Sequence, residues 1–515
     1  MQRFVIRSLR RLIAGSLAAG SLMALPAHAA GGYATPDYQQ GEAWLANRLT
    51  MPAPATRARN LILFLGDGMS VTTLTAARIL EGQQQGMPGE ENFLSFERFP
   101  YSALVKTYNT NQQTPDSAGT MSAIVTGVKT RAGMLSIGPE QLRASCEGQQ
   151  AHELTTLLEY ASQQGMATGV VTSARLTHAT PAATYAHTSE RDWEANSDLS
   201  DEAIANGCED IASQLISRGF AHGLDLAMGG GRRNFVLETA GGVRTDQDLT
   251  SQFTQQYPEG QYLASRNDLF HMSARTPILG LFADSHMAYE YDRDDSQPSL
   301  QEMTFAALQV LQQQTRGSDQ GYVLIIEGAR IDHAHHAGNA YRALTDAIEM
   351  AKAVDFADRM TNDADTLIVV TADHSHTLSF AGYPDRGNNI LGLAKYKGVS
   401  TKADDGAPYT TLGYANGMGA STLPPQQTTT DTPRQLGRIP WHDDINCSHP
   451  NFYQAALGQR SSETHGSDDV ALHAKGPGSQ WFRGLLEQNT IFHLTSRALN
   501  LTTQTPVAAQ SGENL

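Results

Sequence analysis

Cysteine is scarce in this sequence, whose 515 residues include only Cys146, Cys208 and Cys447. Three thiols so far apart exclude a zinc-finger-type site, which needs four closely spaced ligands. They are compatible with one disulfide, if the chain folds in an oxidising compartment, and also with three unpaired thiols. The cysteines therefore allow at most one intrachain disulfide.

Basic residues are also few, since 37 Lys and Arg stand against 53 Asp and Glu, giving a formal charge of −16. A chain this acidic lacks the basic surface that binds a nucleic-acid backbone, so we expect no nucleic acid as a partner. It also repels anionic small molecules at long range. A site for an anion would therefore need a concentrated local positive charge, which metal ions supply.

Long apolar runs are confined to the N-terminus. Four arginines precede the apolar run from Leu12 to Leu25, and Ala27-His28-Ala29 follows it. This pattern is typical of a cleaved secretory signal peptide, assigned here to residues 1–29; the loss of its four arginines would take the formal charge from −16 to −20. The run is too short to span a bilayer, and no later stretch of about 18 apolar residues occurs. We expect a secreted protein, periplasmic or extracellular, without a membrane anchor. The Arg10-Arg11 pair leaves twin-arginine export and ordinary secretion both open.

Four short apolar runs, rich in branched residues, mark the rest of the chain. They are Leu61 to Leu65, Thr168 to Thr172, Tyr322 to Ile326 and Thr366 to Thr371. Such uninterrupted runs are typical of strands buried on both faces of a parallel sheet. Helix-like segments, among them Leu154 to Gln163 and Met303 to Gln313, lie between them. This alternation predicts an α/β protein, a three-layer sandwich whose largely parallel central sheet is flanked by helices.

The segments around this pattern differ in composition. Residues 30–58 are rich in small and polar residues and predict an N-terminal arm, whereas residues 59–500 hold the α/β domain. Residues 381–460 contain many Gly, Pro, Thr and Asn with little periodicity, which predicts an inserted, crown-like surface lobe. Residues 501–515 are expected to form a flexible tail.

Metal-binding residue types follow all four predicted strands. In chain order they are Asp67 after the first run, His178 and Thr180 after the second, Glu327 after the third, and Asp373 and His374 after the fourth. Ligands of open α/β sheets bind at the carboxyl ends of the strands. A single carboxylate there is ordinary, because Asp is a common turn residue. Convergence of four such segments on one edge indicates a ligand site.

A second signal is the pair Asp332 and His336, four residues apart and close behind Glu327. The two side chains would share one face of a helical turn and could clasp one zinc ion. Such pairs also occur on solvated helices, so the neighbouring Glu327 and the distant Asp373-His374 segment favour the metal interpretation.

A candidate nucleophile lies in the segment Thr114-Pro115-Asp116-Ser117-Ala118-Gly119-Thr120, which precedes the helix-forming residues Met121 to Val125. Small neighbours would let a substrate approach Ser117, and a helix N-terminus stabilises an anion. The alternative is a plain helix cap, a role that Asp and Ser often fill. Without the metal ligands, the cap would be the better interpretation.

Six segments together resemble the motifs of the alkaline phosphatase family, in the same order and over most of the chain. They are Leu65-Gly66-Asp67-Gly68-Met69, the Ser117 segment, Leu176-Thr177-His178-Ala179-Thr180-Pro181, Glu327 to His336, Thr371-Ala372-Asp373-His374 and Glu463-Thr464-His465-Gly466. The residues of these motifs are more similar to those of animal-type members than to those of the enterobacterial form.

The resemblance implies hydrolysis of phosphate monoesters with two Zn²⁺ and one Mg²⁺ per chain, in a homodimer whose inserted lobe lies near the interface. The implied ligands are Asp332, His336 and His465 for the first zinc, Asp67, Asp373 and His374 for the second, and Asp67, Thr180 and Glu327 for magnesium. Ser117 would become a covalent phosphoserine, and zinc-bound hydroxide would complete the second step. Arg191, in Ser189-Glu190-Arg191-Asp192-Trp193, would clamp the phosphate.

The resemblance also assigns residues around these ligands. His178 and His333 stand where the enterobacterial type has aspartate and lysine, and they would lie beside the metal ligands without binding an ion themselves. His335, next to His336, is expected to be a solvent-exposed helix residue. Cys146 and Cys208 match a disulfide pair, which is the pairing that we favour and which leaves Cys447 free or in an intermolecular bond.

One family feature is missing from the sequence. Animal-type enzymes carry carboxylates of an additional calcium site where this chain has Ala283 and Gln297. We therefore expect no calcium at that position.

Two other functional classes fit part of the pattern. A phosphodiesterase or sulfatase of the same superfamily would share the sheet or the metal ligands. Sulfatases need a Cys/Ser-x-Pro-x-Arg context that is absent here, and diesterases usually present Thr, so Ser117 with Arg191 favours monoesters. A phosphate- or zinc-binding protein without turnover would bind phosphate stoichiometrically and release no alcohol from p-nitrophenyl phosphate.

Overall fold

The computed structural model describes residue 55 and residues 57–422, 436–439 and 441–502. The predicted signal peptide, nearly all of the predicted arm, and most of the predicted tail lie outside these residues. Part of the 381–460 segment also lies outside them.

The strands of the described residues are, in chain order, β1 (Asn60–Gly66), β2 (Tyr101–Lys106), β3 (Ala167–Arg175), β4 (Leu226–Gly230), β5 (Gln261–Leu263), β6 (Ile278–Leu281), β7 (Tyr322–Gly328), β8 (Thr366–Ala372), β9 (Ser375–His376), β10 (Leu378–Phe380), β11 (Lys395–Tyr396), β12 (Val399–Ser400), β13 (Leu412–Gly417), β14 (Ala420–Thr422), β15 (Leu436–Arg438), β16 (Ala455–Gln459), β17 (His465–Gly466), β18 (Val470–Lys475) and β19 (Gly484–Glu487).

The α-helices of the described residues are α1 (Val71–Gln84), α2 (Ser117–Thr126), α3 (Leu157–Gln163), α4 (Ala179–Ala182), α5 (Asp201–Ala205), α6 (Ile211–Gln214), α7 (Leu249–Gln256), α8 (Arg266–His271), α9 (Leu300–Gln314), α10 (Arg330–His336), α11 (Ala340–Met360) and α12 (Thr490–Leu499). A π-helical segment, Leu215–Phe220, follows α6 directly.

Ten strands form one sheet in the order β19-β2-β18-β8-β1-β7-β3-β4-β6-β5. All pairs in this sheet are parallel except those of β18, which runs antiparallel to both β2 and β8. Helices flank the sheet, with α9 and α11 packed against each other and α12 packed against α2. The predicted α/β class with a largely parallel, helix-flanked sheet is therefore confirmed.

The four predicted strands are the buried centre of the sheet. Every residue of β1, β7 and β8 is buried, and β3 is buried along most of its length. Each Leu or Ile fully buried in this way contributes about 1.5–3 kcal/mol through removal of apolar surface from water. The uninterrupted apolar runs follow from this, since neither face of these strands meets solvent.

The register of the central strands brings their ends to one level. Gly66 of β1 is paired with Gly328 of β7 and with Ala372 of β8. Residues that leave these three strands therefore begin at the same edge of the sheet.

The first of the two predicted helices begins three residues later than expected and the second three residues earlier, because of local capping residues. α3 begins at Leu157, because the Thr156 side chain accepts a hydrogen bond from Glu159 N and caps the helix there. α9 begins at Leu300, where Ser299 and Glu302 form the same capping arrangement.

Short strands and long connections make up the described part of residues 381–460. β13 lies between β10 and β16 in a three-stranded sheet. Tyr414 of β13 is paired with Leu378 and with Ala456, and all three side chains are buried. These three side chains belong to the main hydrophobic core, whereas Leu393, Cys447 and Phe452 form a separate small cluster within the segment.

Cys146 and Cys208 form a disulfide with a Cα–Cα distance of 6.0 Å, which confirms the predicted pairing. Cys447 is unpaired and buried. Among the residues that the structure describes, we find no helix with the length and apolar character of a membrane span.

Candidate metal centre and active site

The carboxyl edge of the sheet gathers buried carboxylates. Asp67 follows β1, Glu327 lies near the end of β7 and Asp373 follows β8, and none of them is more than 1% exposed. Gly68 N donates to Asp373 Oδ1 at 3.0 Å, which joins the first of these turns to the last. Gly68 has a φ of +65°, and a Cβ there would collide with the His376 ring, so only glycine fits this turn.

A first cluster of donor atoms forms where α10 meets β17. Asp332, His336 and His465 lie together with His376, and their donor atoms are within 4.8 Å of one another. The Nε2 atoms of His336 and His465 are 3.1 Å apart, and they lie 3.4 and 3.5 Å from Asp332 Oδ1. Asp332 and His336 share one face of α10, as their spacing predicted.

The imidazoles of this cluster are held by backbone carbonyls. His336 Nδ1 donates to Glu463 O at 2.6 Å, and His465 Nδ1 donates to Pro115 O at 2.8 Å. A proton on Nδ1 leaves the Nε2 lone pair free to bind a cation. Both rings are therefore oriented as metal ligands.

A second cluster surrounds His374. Its Nε2 lies 3.3 Å from Asp67 Oδ1, 3.3 Å from Asp373 Oδ2 and 3.1 Å from Ser117 Oγ. The donor atoms of Asp67, Asp332 and His374 are within 4.8 Å of one another. Asp67 and Asp332 thus bring the first two clusters side by side.

A third cluster consists of Asp67, His178 and Glu327. The Thr172 hydroxyl donates to Glu327 Oε2, and Thr180 lies beside this cluster as the sequence predicted. Both oxygens of Asp67, Oγ1 of Thr180 and Oε1 of Glu327 are buried without a hydrogen bond of good geometry. An unsatisfied buried polar atom costs about 1–3 kcal/mol, so these oxygens fit the coordination of a hard cation.

The electrostatics of the clusters also fit cations. Burial, together with Asp332, Asp373 and Glu327, raises the pKa of Asp67 well above its usual value. Burial raises the pKa of Glu327 to about 8 and also raises that of Asp373. Without a counter-charge these carboxylates repel one another, and divalent cations would reverse this repulsion.

The histidines of the clusters favour their neutral form. Burial lowers the pKa of His374 to about 3 and lowers the pKa of His465 well below its usual value. A metal binds the neutral imidazole, so these shifts prepare both side chains as ligands.

Ser117 is the first residue of α2, four residues ahead of the predicted start. Asp116 caps the helix by accepting from Gly119 N at 3.1 Å, so the predicted capping role belongs to Asp116. The Ser117 side chain is 2% exposed, and its Oγ faces His374. The helix cap and the serine that faces the site are therefore adjacent residues.

Arg191 is fixed by two neighbours of the site. Its Nη1 donates to Asp116 Oδ2 at 3.1 Å, and its Nη2 donates to His178 Nε2 at 3.2 Å. Asp116 therefore connects the helix that carries Ser117 to this guanidinium. Burial acts to raise the pKa of Asp116, but Arg191 and the backbone amides of Gly119 and Gly133 together lower it below its usual value.

His333 lies beside the third cluster. Its ring centroid is 5.3 Å from that of His178 and 4.1 Å from that of His286. Burial lowers the pKa of His333 to about 4.

His376 belongs to the site but was missed by the sequence reasoning. It is buried, with Nε2 2.6 Å from Asp332 Oδ1 and Nδ1 2.5 Å from Glu463 Oε2. Although burial acts to lower it, Asp332 and Glu463 raise the pKa of His376 to about 9. The available signal was its position two residues after His374, since residues two apart in an extended chain point to the same side.

The expectation that His335 is solvent-exposed was wrong. The side chain is 0% exposed, because one face of α10 points to the metal clusters while the opposite face packs on α1 and β13. Its Nε2 is 3.0 Å from Thr73 Oγ1, and its Nδ1 is 2.8 Å from the Tyr414 hydroxyl.

Site and fold together define a class, the metal-binding hydrolases of phosphate monoesters. The family model for alkaline phosphatase matches residues 58–501, and the chain belongs to that family.

Curated relatives agree over most of the chain. The tissue-nonspecific alkaline phosphatase isozymes of Gallus gallus and Homo sapiens are 40% and 39% identical over 459 residues, which cover 86% of this chain and 84% and 83% of theirs. The alkaline phosphatase of Gadus morhua is 40% identical, over 86% of this chain and 92% of its own.

Solved structures share the fold. The alkaline phosphatase of Thermus thermophilus matches with a TM-score of 0.61 at 24% identity, covering 88% of this chain and 94% of its own. That of the Antarctic bacterium TAB5 matches with a TM-score of 0.59 at 19% identity, covering 87% of this chain and 100% of its own.

Proposed function

We propose that the chain hydrolyses phosphate monoesters to alcohol and inorganic phosphate through a covalent phosphoserine at Ser117. One observation carries the proposal. Ser117 Oγ lies 3.1 Å from His374 Nε2, within a group of donors that is suited to divalent cations. A serine hydroxyl in that position can attack phosphorus while its negative charge is stabilised.

The proposed ligands are those implied by the family resemblance. Asp332, His336 and His465 hold the first zinc, Asp67, Asp373 and His374 with Ser117 hold the second, and Asp67, Thr180 and Glu327 hold magnesium. The two zinc sets combine imidazole with carboxylate, whereas the magnesium set is all oxygen. When bound, the cations lower the pKa of the attacking hydroxyl and water and neutralise charge on the phosphoryl oxygens.

The chain's own residues direct two displacements. Ser117 Oγ forms a bond to phosphorus as the bond to the alcohol oxygen breaks, which leaves the phosphoryl group on Ser117. Water then attacks phosphorus and frees the serine oxygen, so two inversions give net retention. Arg191 holds two non-bridging oxygens with its planar fork, while Asp116 keeps that fork oriented.

The covalent step can be tested by acid quenching during turnover of p-nitrophenyl phosphate. The peptide that contains Ser117 should gain a phosphoryl group, and fragmentation should place it on Ser117 rather than on Thr120 or Ser122 of the same peptide. Turnover without a phosphorylated peptide, or with the group on another residue, would overturn the proposal. Phosphate binding without alcohol release would favour a binding protein instead.

Replacement of Arg191 by alanine should weaken phosphate recognition. We expect kcat/KM for p-nitrophenyl phosphate to fall roughly 10²-fold, because two charge-assisted hydrogen bonds are lost. Inhibition by inorganic phosphate should weaken in parallel. Arg191→Lys keeps the positive charge but lacks the planar guanidinium. Its kcat/KM should therefore lie between those of wild type and Arg191→Ala. Equal inhibition constants for wild type and Arg191→Ala would contradict the assigned role.

We further propose a secreted homodimer, periplasmic or extracellular, that acts on small-molecule monoesters and binds no nucleic acid. The signal-peptide pattern at residues 1–29 supports secretion, and the acidic composition argues against binding of nucleic acid. The homodimer is what the family resemblance implies. Light scattering of the purified protein would contradict it if the mass were that of one chain.

A further inference from the structure

His335 stands at the centre of a buried hydrogen-bonded chain that does not include the proposed ligands. The Tyr414 hydroxyl is 2.8 Å from His335 Nδ1, and Thr73 Oγ1 is 3.0 Å from His335 Nε2. Thr73 Oγ1 is in turn 2.9 Å from Ser70 Oγ. All four side chains are at least 95% buried.

This hydrogen-bonded chain of side chains links three segments that form or adjoin the site. Ser70 caps α1, three residues after Asp67. His335 lies on α10 between Asp332 and His336, and its ring nitrogens bond to Thr73 and Tyr414 rather than to the proposed ligands. Tyr414 belongs to β13, within the segment predicted to be an inserted lobe. One imidazole therefore joins the Asp67 turn, the helix with two proposed ligands, and the lobe.

The buried His335 ring needs a hydrogen-bond partner at each of its two nitrogens. A neutral imidazole has one donor and one acceptor nitrogen, and the hydroxyls of Thr73 and Tyr414 can complement either tautomer. At 0% exposure no water replaces a lost partner, so the loss leaves a buried polar atom unsatisfied. The His335 ring also packs on His376, which holds Asp332, with centroids 4.9 Å apart.

The proposed zinc clusters depend on the distance between the same elements. One draws on Asp332 and His336 of α10, and the other needs Asp67 at the end of β1. A shift of α10 against the β1–α1 turn would separate Asp332 from Asp67, which now contribute donor atoms to one cluster. Hydrogen bonds that fix this distance would therefore act on the affinity for zinc.

We propose that His335 is a positioning residue that sets the spacing of the zinc ligands, and that Tyr414 makes this spacing depend on the 381–460 segment. The inference rests on the proposed function, because it assumes the zinc ligands named there. His335 touches neither substrate nor ion. Its effect passes through the placement of α10.

The test compares zinc retention in variants of the metal-loaded protein. Tyr414→Phe removes one hydroxyl and should release zinc to a coloured chelating indicator about threefold to tenfold faster, the range for one buried hydrogen bond. His335→Leu removes both hydrogen bonds of the ring and leaves the Tyr414 hydroxyl unpartnered, so it should release zinc faster still. His335→Gln, whose amide can both donate and accept, should recover most of the retention. In each variant that folds, kcat per bound zinc pair should stay closer to wild type than retention does.

Tyr322→Phe is the matched control. Tyr322 is also a buried tyrosine, 2% exposed, but it begins β7 at the opposite edge of the sheet. This variant loses the same atom and should keep wild-type zinc retention. Melting temperatures of zinc-free samples separate general destabilisation from the specific effect.

The outcomes distinguish the two proposals. Wild-type protein that holds no zinc would overturn the proposed function. Wild-type protein that holds zinc, with Tyr414→Phe releasing it no faster than Tyr322→Phe, would overturn the role of His335 and leave the function standing. Because Tyr414→Phe is a small change, this comparison does not depend on His335→Leu folding.

Discussion

Replacement of Ser117 by alanine is expected to lower kcat for p-nitrophenyl phosphate by roughly 10⁴-fold or more, measured at about pH 8 to 10. The hydroxyl is the only group that the proposed mechanism turns into a covalent intermediate. Its removal therefore eliminates both displacements rather than weakening one contact. The fold should survive, because the change deletes one oxygen from a buried helix end whose cap is Asp116.

Ser496→Ala provides a matched control for that variant. Ser496 is also buried on a helix, and its Oγ has no hydrogen-bond partner among the described residues. Its activity should equal that of wild type. Ser117→Ala with more than a tenth of wild-type activity, at unchanged zinc content, would exclude a serine nucleophile.

Removal of metal is the second large effect. Treatment with a chelator should reduce hydrolysis to background, and zinc with magnesium should restore it, whereas chelator already saturated with zinc should have little effect. The same treatment should change how stability depends on pH. Full activity in metal-free protein, verified by elemental analysis, would contradict the proposal.

The direction of the pH effect follows from the buried groups. In the metal-free protein the pKa of Glu327 is raised to about 8 and that of His376 to about 9, so both bind protons that the unfolded chain has released by pH 7. Stability from a raised pKa is lost as the pH rises through the folded value. His374, with a pKa of about 3, is neutral in both states above pH 7 and adds nothing.

We therefore expect metal-free protein to lose about 3 to 4 kcal/mol of unfolding free energy between about pH 7 and pH 9. Metal-loaded protein should lose much less, because bound cations keep the carboxylates ionised throughout. Urea unfolding at both pH values and constant salt measures the difference. A metal-free protein that is equally stable at both pH values would show that Glu327 and His376 do not titrate as described.

The central strands could be predicted because their signal is local. A run such as Leu61 to Leu65 is buried on both faces of the sheet, so every residue in it is apolar and the run can be recognised from the sequence alone. The residues after each run were then found by sheet geometry alone. The position of β18 had no such signal, since its alternating burial is typical of many strands and does not reveal its neighbours.

The start of α2 and the burial of one face of α10 were harder to predict, and the reasons differ. The sequence predicted helix-forming residues from Met121, yet Ser117, Ala118 and Gly119 are already helical because Asp116 caps the helix before them. The sequence predicted that His335 of α10 is exposed to solvent, but packing on α1 and β13 buries it. The start of α2 depends on a local side-chain cap, and the burial of His335 depends on contacts between distant segments; hydrophobic periodicity records neither.

The place of β18 has a consequence for how the chain acquires its structure. β18 is hydrogen-bonded to β2 on one side and to β8 on the other, and among the described residues β2 pairs with no other strand except β19. Both β18 and β19 come after residue 469, so β2 cannot join the other strands of the sheet until residues beyond 469 have been made. His465 is supplied at nearly the same point. A nascent polypeptide that stops before β17 has neither a continuous sheet nor His465, one of the proposed zinc ligands, so it cannot carry out the proposed reaction, and contacts of such long sequence separation form slowly.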